Sequence, residues 1–435
     1  MKLYPFQQKG VDWLVDHFRC LLSLDMGSGK TIIALSLVAR CRGIKSVLVV
    51  CPASLKLNWA REAGIWAPRH SVQIVDGRQP VALVSDIVVI NYDILSSHAV
   101  NFSLHDFDLV VFDECHMLKN IEAARTKAAM KYLTRSARVI FMSGSPMLNR
   151  PSELWAPLRA ISKSISGTQE EFETRYCGGR YDKFKKWWAM GATNLEELHE
   201  KLKPVMLRRT KAEVLPELPE KVRTVIELAD LPASLVDLQN RIDPGWRQAL
   251  RCPVATRPAA ATKRLGTELS TIRRLDGIAK VGQVVAHVRM LLDAGEKVLL
   301  FGWHREVIQM LADKLKCDRI IVGDTPGKVR QRHVDDFQKY DEVRLLIGNI
   351  QSMGVGLTMT EATCVVFAEL SFVPLDMLQA EDRAHRIGLK HSVSVQYLVA
   401  AGSVDSRLGP ALIRKLSHFE QVVDGAGLDL GEIFL

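Results

Sequence analysis

Three small groups of residues in this 435-residue chain are of types and at spacings that can do chemistry. In "LDMGSGKT" (24–31), Gly27 and Gly29 precede Lys30 and Thr31. A backbone without side chains at those glycines can curl its N–H groups toward an anion. Lys30 adds a mobile positive charge, and Thr31 adds a hydroxyl suited to magnesium. The apolar run "KTIIALSLVARC" reads as a helix whose N-terminus faces the same anion. Leu24 stands where the usual phosphate-loop pattern has its first glycine and reads as the last residue of a strand. The second group is Asp113 and Glu114 in "VVFDECH", two carboxylates at the end of an apolar strand, the edge where open parallel sheets bind ligands. Asp113 suits Mg2+ and Glu114 suits polarising a water, although acidic pairs at strand ends also serve as caps and turn formers. The third is "LQAEDRAHRIG", in which Gln379, Arg383 and Arg386 are spaced to share one helical face. Two guanidiniums so placed can meet charge developing on a terminal phosphate, worth about 10^3 to 10^5 in rate, but spacing alone fits a solvated basic turn equally well.

These groups need parallel sheets to position them. Beta-branched runs at 19–25, 45–52, 86–92, 108–114 and 138–144 predict strands buried on both faces, and a second series at 297–303, 317–324, 344–349, 364–370 and 393–400 predicts another sheet. The stretch from about 150 to 280 reads as helical and poor in strands, with proline-marked connections at 216–222 and 243–264. The expected fold class is therefore α/β: lobe one over 1–222 with a helical insertion at about 156–222, and lobe two over 223–435 with a basic helical insertion at about 230–280.

At 47% hydrophobic and 25% charged the composition is that of a globular chain. No leader-like segment and no apolar run long enough for a membrane is evident, so an intracellular location is expected, cytoplasm or nucleoid for a prokaryotic or viral source and nucleus for a eukaryotic one. The eight cysteines lack metal-knuckle spacing and read as small buried hydrophobes. Residues 241–280 hold nine Lys/Arg against Asp243, Glu268 and Asp276, which fits a polyanion partner or an ordinary solvated basic face. Trp187 and Trp188 in "KFKKWWAM" could stack on bases, with burial in the lobe-one insertion the favoured reading.

Taken in order, "LYPFQQKGVDWL" (3–14), "LDMGSGKT", "VLVVCPASLKLNW" (47–59), "VVINYDIL" (88–95), "FDECHMLKN" (112–120), "FMSGSPMLNRPSELW" (141–155), "PVMLRRTKAEVLPELPEKV" (204–222), "FGWHREV" (301–307), "VGDTPGKVRQRHVDDFQ" (322–338), "MGVGLTMTEATCVVFAEL" (353–370) and "QAEDRAHRIG" resemble the Swi/Snf-type double-stranded DNA translocases of helicase superfamily two. The wording of "RYCGG", "VVFAEL", "LQAEDRAHRIG" and "YLVA" is most similar to the annealing-helicase branch.

The resemblance implies two RecA-like P-loop lobes, ATP with Mg2+ as cofactors, and sequence-nonspecific duplex DNA as partner, the chain acting as a monomer. It also implies roles: Gln7 reading adenine; Asp25, Met26, Gly27, Ser28, Gly29, Lys30 and Thr31 forming the loop, with Gly356 reaching the nucleotide; and Thr31 with Asp113 on the metal. Glu114 and Gln379 fall to water or the terminal phosphate, and Arg383 and Arg386 to fingers. His116, Ser143, Gly144 and Ser145 would couple the cleft to DNA, which Lys56, Asn58, Arg208, Arg209, Lys211, Arg330 and the basic surplus around 247–274 would contact through phosphates. Cys115, Ser145 and Leu389 depart from the family's Ala, Thr and Gln; the last puts one contact between the lobes in doubt. Alternatives are a strand-separating helicase or RNA remodeller, and a nucleotide-gated DNA-binding scaffold.

Overall fold

The computed structural model describes residues 2–406 apart from 99, 100, 103, 134, 135, 145, 148, 149, 182–186, 190, 216, 220, 233, 234, 236, 238–258, 354–356, 372, 390, 402 and 404. Ser145, Gly356 and most of the 247–274 surplus lie outside the described residues or side chains. The chain divides into two compact units, with the break between residues 216 and 217.

The first unit is built on a seven-stranded, wholly parallel sheet. In chain order its strands are β1 (Arg19–Leu24), β2 (Val47–Cys51), β3 (Val72–Ile74), β4 (Ile87–Asn91), β5 (Leu109–Asp113) and β6 (Arg138–Met142), followed after a small hairpin by the one at Met206–Arg209; the lateral order is β3-β4-β2-β5-β6-β1 and then that last strand. Every residue of β2, β4 and β5 is buried, as expected of strands covered by helices on both faces. Among those helices are α1 (Pro5–Asp16), α2 (Lys30–Arg40), α3 (Lys56–Trp66), α4 (Ala124–Leu133), α5 (Trp155–Ile161) and α6 (Gln169–Cys177). In α1 the interior side is Gln7, Gly10, Val11 and Leu14, the i, i+3, i+4, i+7 stripe of a helix lying on a core.

The hairpin pairs β7 (Arg180–Tyr181) with β8 (Trp187–Trp188), and the seventh strand is β9 (Met206–Arg209). A helical reading of 150–280 is therefore corrected: β9 closes the first sheet beside β1, and β10 (Lys221–Leu228) forms an edge of the second. Trp187 and Trp188 are half-buried on the hairpin, and the Trp187 indole donates to Glu173.

The second unit holds a six-stranded parallel sheet. After β10 come β11 (Val298–Gly302), β12 (Ile320–Ile321), β13 (Leu345–Asn349), β14 (Cys364–Phe367) and β15 (Val393–Ala400), ordered β10-β15-β14-β11-β13-β12. The run at 317–324 yields only the two residues of β12. On one face Phe301, Phe367 and Tyr397 stack at 5.2 and 5.4 Å across neighbouring strands, an aromatic ladder set by strand register. On the other face Val284 and Val288 of the long α7 (Ala259–Asp293) pack with Leu300. Leu389, where the family has glutamine, is 8% exposed and belongs to the core around Phe367.

Of the described cysteines, Cys20, Cys51, Cys115, Cys177 and Cys364 are buried while Cys41 and Cys317 are half-exposed, and all are free thiols. Among the described residues no helix is long and apolar enough to cross a membrane.

Candidate nucleotide site

The loop after β1 takes its shape from two glycines in the left-handed region, Gly27 at φ 77° and Gly29 at φ 87°. Gly29 cannot be replaced cheaply, because a Cβ there would lie 2.4 Å from the Gln7 amide nitrogen. That amide donates to the Ser28 carbonyl at 3.1 Å, and the Gln7 side-chain oxygen accepts the Tyr4 N–H at 3.0 Å. Gln7 thus braces the loop from α1, a task beyond the adenine contact implied by the resemblance. Ser28 is fully buried and its hydroxyl donates to the Asp25 carbonyl at 2.6 Å. Gly144, after β6, lets the loop approach: a Cβ on it would meet Met26 Cγ at 2.5 Å.

Asp25 stands at the head of the loop as a tie. Its carboxylate accepts the Lys211 backbone N–H at 2.9 Å and pairs with Arg208 at 2.7 Å. Parallel pairing of β1 with β9 places Arg208 opposite Ser23, which explains the meeting. Arg208 also donates to the Ser23 carbonyl at 3.2 Å, so it supports the loop. Lys211 is only 8% exposed, and Lys56 is 9% exposed with its ammonium on the Val75 carbonyl at 3.1 Å and on Asp76. Both side chains are largely buried within the first unit. Arg209 is exposed, whereas Asn58 and Arg330 are half-buried. Of the basic surplus, Lys280 is fully buried against Asp405 at 2.6 Å, and Arg273 donates to the Leu370 carbonyl over the Trp303 ring.

Lys30 opens α2 and its ammonium donates to the carbonyls of Leu24 at 2.8 Å and Asp25 at 3.2 Å. Burial pushes its pKa down, while the charges of Glu114, Asp113 and Asp25 oppose that shift. Thr31, the next residue, is half-buried on the same turn.

Asp113 ends β5, and its carboxylate accepts the Trp59 indole N–H at 2.8 Å and the Glu114 N–H at 3.0 Å, while Tyr92 donates to its carbonyl at 2.8 Å. Burial first and the charge of Glu114 second push Asp113 up to about 6. Glu114 has a left-handed backbone, φ 51°, unusual for a side chain of its kind. Its carboxylate accepts the Ser143 hydroxyl at 3.0 Å and lies 3.3 Å from His116 Nδ1. Burial alone would raise Glu114, but the His116 bond and charge, Lys30 and Ser143 outweigh it and hold the group at about 2.

These residues fit a triphosphate and a divalent cation. Two left-handed glycines shape the loop at a helix N-terminus, and two carboxylates lie buried beside Lys30, Asp113 pushed upward in pKa first by burial and then by the charge of Glu114, a donor set that suits a divalent cation. Thr31 and Asp113 would hold Mg2+.

In the second unit the helix α8 (Pro374–Glu381) stops at Glu381, so Gln379, Arg383 and Arg386 do not share one helical face, a correction of the spacing argument. The arginines converge instead on one acceptor. Arg383 donates to the Leu357 carbonyl at 3.3 Å and to Gln379 O at 3.1 Å; Arg386 donates to the same Leu357 carbonyl at 3.1 Å and to Thr358 Oγ1 at 2.7 Å. Behind them Glu381, fully buried, accepts from Arg223 at 2.8 Å and from Lys221 at 2.9 Å, and Tyr397 donates to it. The role of Glu381, like those of Trp59 and Tyr92, was not read from the sequence; each lay inside a recognised motif without a spacing that marked it.

Residues 6–231 match the SNF2-related domain and residues 280–388 the helicase conserved C-terminal domain. Over 443 residues the chain is 34% identical to the DNA annealing helicase and endonuclease ZRANB3 of Mus musculus, covering 98% of this chain and 41% of that protein. It is 35% identical to a SWI/SNF-related matrix-associated actin-dependent regulator of chromatin subfamily A-like protein 1 homolog of Caenorhabditis elegans, covering 97% of this chain and 62% of the relative. A solved Sulfolobus solfataricus SWI2/SNF2 ATPase core in complex with dsDNA is 22% identical with a TM-score of 0.47, covering 98% of this chain and 94% of that one. The chain thus spans only part of the length of the curated relatives it matches. With the SNF2-related domain matched over just more than half of its residues, the chain belongs to the SNF2-related family.

Proposed function

We propose that the chain is a DNA-dependent ATPase, a motor core that spends Mg2+-ATP on movement along duplex DNA without sequence preference and so remodels DNA structures or protein–DNA complexes. The observation that supports this best is the buried corner where Lys30 feels the charges of both Asp113 and Glu114 beside a loop shaped for phosphate. The relatives' names speak of a DNA annealing helicase and of a regulator of chromatin, which favours duplex DNA over RNA as the polymer.

Backbone N–H groups around Gly27 and Gly29 bind phosphate oxygens, Lys30 leaves its carbonyl partners for the terminal phosphates, and Gln7 contacts adenine. Asp25, Met26 and Ser28 keep the loop in shape. Thr31 and Asp113 would hold Mg2+, which would supply charge neutralisation for the phosphates. Glu114, kept anionic by His116 and Ser143, is a weak base at about 2, so its work is to orient the attacking water by accepting its hydrogen bond. By the family's pattern Arg383 and Arg386 are assigned the role of arginine fingers, Gln379 a role toward the terminal phosphate or its water, and Gly356 a nucleotide contact. His116, Ser143, Gly144 and Ser145 relay the state of the phosphate to the DNA path, where Asn58, Arg209 and Arg330 touch the backbone. The chain works as a monomer in the compartment that holds the DNA.

Glu114→Gln tests the assignment. ATP binding is expected to stay within about twofold, while turnover and triplex displacement drop by about 10^2-fold or more, the size of effect expected for one preorganised polar group at the reacting atoms. A nucleotide-gated scaffold would keep its function in that variant, and a displacement rate equal to wild type would end the motor reading.

A further inference from the structure

A cavity of about 720 Å³ opens in the first unit between β1, α4 and α5. It lies at the start of β1, at Arg19, whereas the phosphate loop follows the other end of the strand at Leu24, roughly 17 Å away at strand rise. Ile121, Met130 and Ile161 supply apolar walls. The polar lining is cationic throughout: Arg19, Arg159 and Lys163. Arg19 is tied into the wall by the carbonyls of Ala160 at 3.1 Å and Ser136 at 2.7 Å. Arg159 and Lys163 are exposed, and neither makes an ion pair among the described residues. Glu122, the acid next to the lining residue Ile121, pairs with Lys127 at 2.7 Å instead. Trp155 also lines the cavity, and its indole N–H is buried without any acceptor among the described residues. One turn separates Trp155 from Arg159 on α5, and Lys163 follows just after the helix, so the indole ring and the two cations line the same opening.

We propose that this cavity is a docking site for an acidic, leucine-rich peptide segment of a partner protein. The apolar walls and the accessible part of the Trp155 ring take an aliphatic side chain, and flanking carboxylates pair with Arg159 and Lys163, which have no acidic partner among the described residues. Pockets of 300–1,000 Å³ with apolar walls and a few convergent polar groups are the usual form of a binding site. The net charge of the lining selects against basic segments. The proposal does not depend on the nucleotide-site assignments, because no residue is shared with them.

The test is fluorescence anisotropy with the full chain and fluorescein-labelled acetyl-Glu-Asp-Leu-Leu-Asp-Glu-amide, set against versions with serine for leucine and with lysine for the acids. The acidic leucine peptide is expected to bind and the other two to bind at least tenfold more weakly. Arg159→Glu and Lys163→Glu should each weaken binding about tenfold. Melting temperatures equal to wild type establish that the variants are folded, and Lys163→Glu decides the matter if Arg159→Glu is not. The proposal is overturned if the peptide fails to bind, if the variants bind it as wild type does, if the lysine peptide binds equally, or if succinate or inorganic phosphate displaces it as well as unlabelled peptide, which would leave only an anion patch.

Discussion

Asp113 and Glu114 are neighbours in sequence with opposite electrostatic fates, and the cause is which partners each backbone conformation reaches. Asp113 ends a buried strand and has the Trp59 indole at 2.8 Å as its main side-chain donor, so burial dominates and the group rises to about 6. Glu114, at φ 51°, meets Ser143, His116 and the field of Lys30, and is held at about 2. A side chain in that left-handed region costs about 1–2 kcal/mol, which the three partners offset. The pH dependence follows. On the proposed assignment of Asp113 to Mg2+ the carboxylate must be ionised to hold the metal, so at limiting Mg2+ the turnover of wild type should fall as pH drops through about 6, while Glu114 stays charged. Trp59→Phe removes a bond that lowers the Asp113 pKa, so the midpoint should move to higher pH, by up to about one unit for a single hydrogen bond. A pH profile of ATP turnover checks this, and an unmoved midpoint would mean that Asp113 is not the titrating metal ligand. The carboxylate pair was legible because a strand end is a register position that sequence patterning fixes. Its supports were not, since Trp59 and Tyr92 come from α3 and the segment after β4, 54 and 21 residues away from Asp113.

At the scale of elements, the turn bearing Arg383 and Arg386 is anchored by what precedes it. Glu381 ends α8 with no exposure, facing Lys221 and Arg223 of β10 and the hydroxyl of Tyr397 on β15. Burial alone would raise its pKa, but the two cations hold it below its ordinary value, so the carboxylate is charged and its removal leaves Arg223 without its carboxylate and Lys221 with Asp382 alone. Glu381→Ala should therefore cost about 3–5 kcal/mol in urea unfolding and loosen the arginine turn. A loss under about 1 kcal/mol would show that the network is not what holds α8 to the sheet. The strands of this network also mark where sequence patterning stopped short. Continuous apolar runs revealed the central strands of both sheets, whereas β9 and β10 are edge strands. Their partly exposed residues, "MLRR" and "KVRTVIEL", mix polar with apolar and lack a continuous apolar run, so they resemble a connection until the sheet partner is known.

Over the whole molecule, the net charge of +9 and the family membership both bear on a polyanionic track. Several cations that looked outward in the sequence, Lys56, Arg208, Arg273 and Lys280, are held by internal carbonyls and carboxylates, because a basic residue can serve phosphate or its own fold and only tertiary contacts separate the two. The remaining phosphate contacts, Arg209 foremost, should give binding that weakens steeply with salt, and turnover should follow it. The most direct measurement is the rate of ATP hydrolysis with no polymer, with duplex DNA of random sequence and with RNA, for wild type and Lys30→Ala. A motor on double helices gives turnover that rises at least tenfold with duplex alone and vanishes in the lysine variant; a rate indifferent to duplex, or raised only by RNA, contradicts it.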